Sequence, residues 1–170
     1  MAGRDLTTRI ATVNDAEAIA LIYNEGIAEG IATFETEART REQIAALLVD
    51  KGDRYPTVVA VRDGRIVSWA SAGAYRNRAA YAGVAEHSVY VKRDARGTGA
   101  GRAALEALAQ AYAERGFWKF VSRIFPENTA SLALHERCGF RVVGTYRRHG
   151  KLHGEWRDCV IVEKLLPTAP

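Results

Sequence analysis

Apolar residues recur along this chain in two rhythms. Ile19, Ile22, Tyr23 and Ile27 follow one another at three- and four-residue steps, as do Ile44, Leu47 and Leu48. That spacing stacks side chains on one helical face. Asn14 or Asp15 is placed to cap the first helix. Thr40-Arg41-Glu42-Gln43 opens the second as a capping box, in which residues 40 and 43 bond each other's backbone N–H. A third helix over 99–115 carries Ala104, Leu105 and Leu108 inward and stops at Gly116, and a fourth over 128–138 stops at Gly139. Residues 30–39, with Phe34 and Glu35, show no period and are expected to form a loop.

The second rhythm is that of strands. Runs 9–13, 57–62, 66–74, 84–92, 120–124, 141–148 and 155–165 are rich in β-branched and aromatic residues. Asp63-Gly64 joins two of them as a two-residue hairpin turn. The order is strand, two helices, a three-stranded meander, then helix, strand, helix and two strands. This predicts an α/β fold with a mixed central sheet. No repeat, low-complexity tract or linker interrupts it, so a single domain with its core over about 7–166 is expected.

Composition narrows the picture. A length of 170 residues supports one substantial core. The 48% hydrophobic and 26% charged fractions suit a soluble globular chain, not a disordered or membrane one. No apolar stretch approaches the ~18 residues of a membrane span, and Met1-Ala2-Gly3-Arg4-Asp5 lacks a leader's hydrophobic region, so a cytoplasmic location is expected. Cys138 and Cys159 lie in separate elements, which implies packed thiols in a reducing compartment. The formal charge of +4 suits an anionic ligand. Basic and acidic residues are interspersed and no reader motif is present, which weighs against nucleic acid. His149 and His153 stand with Gly150 between them and no third ligand near, so no metal is expected.

The most informative stretch is Arg96-Gly97-Thr98-Gly99-Ala100-Gly101, between a strand and an alanine-rich helix. Alternate glycines let backbone N–H groups close around an anion, and the helix aims its positive end at the same point. A phosphate, most simply a pyrophosphate, is implied. An NTPase P-loop would continue with Lys-Ser/Thr, but Arg102 and Ala103 follow. A dinucleotide fold wants this loop in its first βα unit with an acid ~20 residues on; the loop lies past mid-chain and Phe120 and Val121 stand there.

Taken together, these features resemble the GNAT superfamily of N-acetyltransferases over essentially the whole chain. The loop fits the superfamily signature Arg/Gln-x-x-Gly-x-Gly/Ala, and Asn128 to Cys138, followed by Gly139-Phe140, fits its asparagine-bearing helix. The words Ile22-Tyr23-Asn24-Glu25, Ala32-Thr33-Phe34-Glu35, Arg54-Tyr55-Pro56, Arg78-Ala79-Ala80-Tyr81 and Glu86-His87-Ser88-Val89-Tyr90-Val91 resemble the phosphinothricin and methionine-sulfone acetyltransferases more narrowly. The chain departs from that pattern at Gly30-Ile31, at Thr57, and in a second helix without an aromatic ring.

The resemblance implies a GNAT-type mixed sheet of about seven strands flanked by about four helices, and a homodimer. It implies acetyl-CoA as cosubstrate, with Val89, Tyr90, Val91, Arg96, Gly97, Thr98, Gly99, Ala100, Gly101 and Arg102 holding pantetheine and diphosphate, and Asn128 and Ser131 facing them. Phe34, Arg78, Tyr81, Glu86 and His87 would form the acceptor pocket, with Arg78 on an anionic group. Glu86 would take the proton of the attacking amine, against the alternative of an outward carboxylate on an alternating strand. His135 would protonate or bond the leaving sulfur, or else satisfy a backbone carbonyl as any helix histidine does. The acceptor expected is a small amino acid such as phosphinothricin or methionine sulfone/sulfoximine, acetylated directly in a ternary complex. Another small amine, a peptide N-terminus, or a non-catalytic acyl-CoA-binding module are the alternatives.

Overall fold

The computed structural model describes residues 5–167, so residues 1–4, used above in the leader argument, lie outside the described residues. Among the described residues the seven strands are β1 (Leu6–Ile10), β2 (Val58–Arg62), β3 (Arg65–Ala74), β4 (Val84–Val91), β5 (Lys119–Ile124), β6 (Arg141–Leu152) and β7 (Glu155–Leu165). They form one sheet in the order β1-β2-β3-β4-β5-β7-β6. Only β4 and β5 run parallel; every other neighbour is antiparallel. The helices are α1 (Ala16–Glu29), α2 (Arg41–Lys51), α3 (Ala100–Glu114) and α4 (Thr129–Arg137).

Strand alternation divides the core into two layers. Ala60, Ala70, Ala72 and Ala85 turn to one face, where Leu105, Leu108 and Tyr112 of α3 pack upon them. Small residues on the sheet let α3 lie close, and Leu105 and Leu108, at 1% and 0% exposure, each contribute about 1.5–3 kcal/mol of apolar burial. Val59 and Trp69 turn to the other face and meet Ile19 and Ile22 of α1 and Ile44 of α2. Asp63 and Gly64 take φ of 52° and 73°, the double left-handed turn that a two-residue hairpin requires.

Four expectations are corrected. The first strand is Leu6–Ile10 rather than 9–13, because its pairing with β2 ends at Ile10↔Val58; Ile10 and Val13 are 44% and 45% exposed, so apolar character there did not mark burial. Asn14 and Asp15 lie in a 3-10 turn ahead of α1. Asp15 stands at the helix N-cap, yet its side chain turns back to the Thr12 N–H at 2.8 Å and to the Arg9 guanidinium at 2.7 and 2.9 Å. Leu47 does not close on the sheet; it is 49% exposed at the rim of a cavity. The sixth strand continues beyond residue 148 to Leu152 through an irregular stretch between Tyr146 and Gly150.

The bond with Arg9 holds the Asp15 carboxyl below the usual carboxylate range, against the opposing effect of burial. A depressed native pKa contributes stability above the unfolded value of ~3.9, and this is lost as pH falls through the native value. Asp15→Asn is therefore expected to cost about 1–2 kcal/mol at pH 7. Thermal melts of the two proteins should converge as pH falls from the unfolded value through the lower native one; a pH-independent gap would place the effect elsewhere.

Candidate active site

The site begins where the sheet opens. β4 and β5 share three register pairs, Val84↔Lys119, Ala85↔Phe120 and Glu86↔Val121. Beyond them β5 continues only against β7 and β4 only against β3. Tyr75 N donates to Val84 O and Lys92 N to Val67 O, which fixes the phase of the β3–β4 ladder. Even-numbered residues of β4 turn their backbone to β3, and odd-numbered ones turn it to the β5 side. Ser122 Oγ donates to His87 O at 2.9 Å and closes the last rung with a side chain. The N–H and C=O groups of Val89 and Val91 then face the gap without a partner strand.

At the end of β4 lies the glycine loop. Gly97 and Gly99 hold φ of 72° and 86°, and a side chain added at either would meet open space. Gly101 serves another purpose: a Cβ there would come within 2.9 Å of Val91 and 3.2 Å of Leu134, so its absence lets α3 pack on β4 and α4. The N-cap of α3 is Gly99, which offers no capping side chain. Ala103 N makes the first helical bond, to Gly99 O, and the N–H groups of Ala100, Gly101 and Arg102 are free for a ligand. Thr98 Oγ1 braces the loop against Ala95 O at 2.5 Å. Arg96 pairs with Glu29 at 2.9 Å and Arg102 with Glu106 at 2.7 Å, both on the surface. The backbone, more than these two guanidiniums, forms the cradle.

On the opposite face, even-numbered β4 side chains line a cavity of about 220 Å³ between the sheet and helices α1 and α2. Glu86, Ser88 and Tyr90 form one wall, and Trp69, Lys51 and Thr57 lie across from them. Glu86 is half-buried and paired with Arg123 of β5, whose Nη2 and Nε lie 2.5 and 3.1 Å from Oε1. Both bonds fall on one oxygen, leaving Oε2 for a ligand. Tyr90, expected with Val89 and Val91 at the gap, turns its backbone to β3, where Ser68 Oγ bonds its carbonyl. Its ring stacks on Trp69 within the cavity wall.

His87, expected at the acceptor, lies on the other face, 1% exposed, against Phe120, Phe140 and His135. His135 Nδ1 stands 2.7 Å from Ser131 O, an acceptor, so this nitrogen carries the proton. His135 Nε2 then accepts from His87 Nε2 at 2.9 Å. Burial lowers both imidazoles, His87 well below its ordinary value, where the neighbouring His135 adds to the effect. Two neutral histidines tie α4 to β4. The unfolded chain takes up protons below about pH 6.5 that the native pair refuses, so stability falls from there toward the native values, by about 1.4 kcal/mol per pH unit per histidine. Melts between pH 7 and pH 5 should show this slope, and His87→Phe should flatten it.

The remaining expected residues lie further out. Asn128 caps α4 by accepting from Ser131 N at 3.2 Å, and Ser131 and His135 follow on the same helix. Phe34 packs on Phe125 with ring centres 4.8 Å apart and against Gly150, outside the cavity lining. Arg78 is exposed at the start of a 3-10 turn, and Tyr81 meets Tyr75 edge-on at 5.8 Å. Sequence reasoning missed Arg123 and Lys51. Arg123, next to last in a strand that also holds Phe120, Val121 and Ile124, stands on an alternating strand like any outward cation, and Lys51 ends its helix like any solvated lysine. Among the described residues no three His, Cys, Asp or Glu side chains gather in a metal-binding group.

Comparison with known proteins agrees with this geometry. The acetyltransferase (GNAT) family matches residues 19–140. Phosphinothricin N-acetyltransferase of Alcaligenes faecalis is 38% identical over 168 residues, covering 94% of this chain and 82% of that protein. The L-methionine sulfoximine/L-methionine sulfone acetyltransferase of Pseudomonas aeruginosa is 34% identical over 163 residues, covering 94% and 95%. A crystal structure of a phosphinothricin acetyltransferase from Sinorhizobium meliloti in complex with AcCoA superposes with a TM-score of 0.87 at 34% identity, covering 95% of this chain and 88% of that one.

Proposed function

The chain belongs to the GNAT family of acetyltransferases, and from that premise we propose that it moves the acetyl group of acetyl-CoA to the amino group of a small amino acid or analogue. Phosphinothricin and methionine sulfoximine or sulfone, named in its relatives, are the acceptors it should accept best. One observation carries this reading. Where β4 leaves β5, a carboxylate with one free oxygen faces a small cavity on one side, while unpaired strand amides and an uncapped helix N-terminus lie along the same strand. The cavity is smaller than the ~300–1,000 Å³ of pockets for drug-sized ligands, and so suits a small amino acid better than a peptide.

The residues divide the work by their chemistry. Val89 and Val91 offer backbone partners to the pantetheine amides, and the N–H groups of the glycine loop and of Ala100 to Arg102 take the diphosphate. Glu86 Oε2 accepts a proton from the acceptor's ammonium, directly or through a water. The Val89 N–H, directed at the gap, stabilises the oxyanion that forms when the amine attacks. Attack is direct: the only thiols, Cys138 and Cys159, are buried in the core, where burial raises both. His135, with Nε2 held by His87, protonates the thiolate only if that pair yields, and a thiol of pKa ~8.5 makes the step undemanding.

In this reading the protein works as a homodimer in the cytoplasm. Its two unpaired cysteines suit a reducing compartment, and among the described residues no helix is long and apolar enough to cross a membrane. Thiol release measured over a panel of amines tests the function. Turnover is expected with phosphinothricin and methionine sulfoximine. Turnover confined to peptide N-termini would redirect the acceptor, and none with any amine would favour a non-catalytic acyl-CoA-binding module.

A further inference from the structure

The cavity beside Glu86 has a second charged end. Lys51, the last residue of α2, reaches over the sheet and donates from Nζ to the Ala72 carbonyl at 2.5 Å. The β2–β3 register explains why that carbonyl is available. Val58 pairs with Ala70, so Pro56 falls opposite Ala72, and proline has no N–H to give. Tyr112 of α3 shares the same carbonyl from the other face at 3.0 Å.

An ammonium carries three N–H groups, and Ala72 takes one. Lys51 lines the cavity, and burial pulls it down to about 8 with no carboxylate beside it to hold it up. Thr57 and Ser71 line the same end, their hydroxyls 3.0 Å apart. Across the floor, Glu86 stands opposite Gly73 in the β3–β4 register. A side chain at Gly73 would meet nothing within 4 Å, so the floor between the two charged ends is open.

We propose that Lys51, assisted by the Thr57 and Ser71 hydroxyls, is the anion receptor of the acceptor site and takes the carboxylate of an α-amino acid whose amino group lies at Glu86. Such a molecule carries both groups on one carbon, so a carboxylate and an ammonium facing one small cavity fix its orientation and bring its nitrogen to the base. This rests on the acetyl-transfer reading and narrows it to amines with a neighbouring carboxylate. Arg78, nominated for an anionic group by sequence, lies outside the cavity lining, whereas Lys51 is inside it.

Calorimetric titration with L-methionine sulfoximine and with its carboxamide tests the assignment. The wild-type protein should bind the acid about 10- to 100-fold tighter than the amide, the worth of hydrogen bonds to a charged group. Lys51→Met should bind both as weakly as the wild type binds the amide, with acetyl-CoA affinity unchanged. Equal binding of acid and amide by the wild type, or binding of neither, overturns the proposal without need of a variant. So does a Lys51→Met protein that melts lower yet keeps its preference for the acid, since Lys51 would then serve only to satisfy Ala72. A fall in kcat at unchanged acceptor KM also overturns it. Failure of the acetyl-transfer reading is seen separately, as a wild-type protein that releases no thiol with any amine.

Discussion

Glu86→Gln is expected to lower kcat by about 10²- to 10⁴-fold, the usual worth of a positioned general base. The acceptor's nitrogen is protonated near neutral pH and cannot attack until it gives up that proton. Glu86 is suited to take it: half-buried at the gap, held through Oε1 by Arg123, with Oε2 left for a ligand. Glutamine keeps size and shape but accepts no proton at this strength, so the melting temperature and the affinity for acetyl-CoA should hold. Arg123→Leu removes the brace rather than the base and should cost less. Undiminished turnover in Glu86→Gln would remove this residue from the chemistry.

Gly99→Val should weaken acetyl-CoA binding by about 10- to 100-fold, as lost hydrogen bonds to a charged group imply. A β-branched residue at φ of 86° is strained, at a cost of about 1–3 kcal/mol, and relaxing that strain turns the loop N–H groups off the diphosphate. Because nothing lies within 4 Å of the added Cβ, packing survives and the loss falls on the ligand. Gly101→Val acts differently. It pushes on Val91 and Leu134 and should destabilise the fold as well as the complex. Calorimetry paired with thermal melts separates the two, and unchanged affinity in Gly99→Val would argue against the cradle.

Local chemistry made much of this legible in the sequence. The Thr40–Gln43 capping box forms as written, with both bonds present. Asp63-Gly64 makes its turn, and Gly116 and Gly139 end their helices with positive φ. These features need only neighbours in the chain. What depends on distant pairing was not legible. The partnership of Glu86 with Arg123 spans 37 positions and follows from the register of β4 on β5. His87 and His135 meet only because α4 packs over β4, although strand alternation alone sets His87 on the face opposite Glu86. Leu47 and Lys51 follow the helical period, yet a cavity stands where sheet was expected. The period gives a helix its inner face but not what that face meets.

A crystal structure of the protein with acetyl-CoA tests most directly whether one strand and one loop hold the acetyl donor for Glu86. The pantetheine should lie in the β4–β5 gap with its amides on Val89 and Val91, and the diphosphate on the N–H groups from Gly97 to Arg102. The thioester should then face the Glu86 side of the sheet. A molecule bound elsewhere, with the gap closed and the glycine loop bare, would contradict the account.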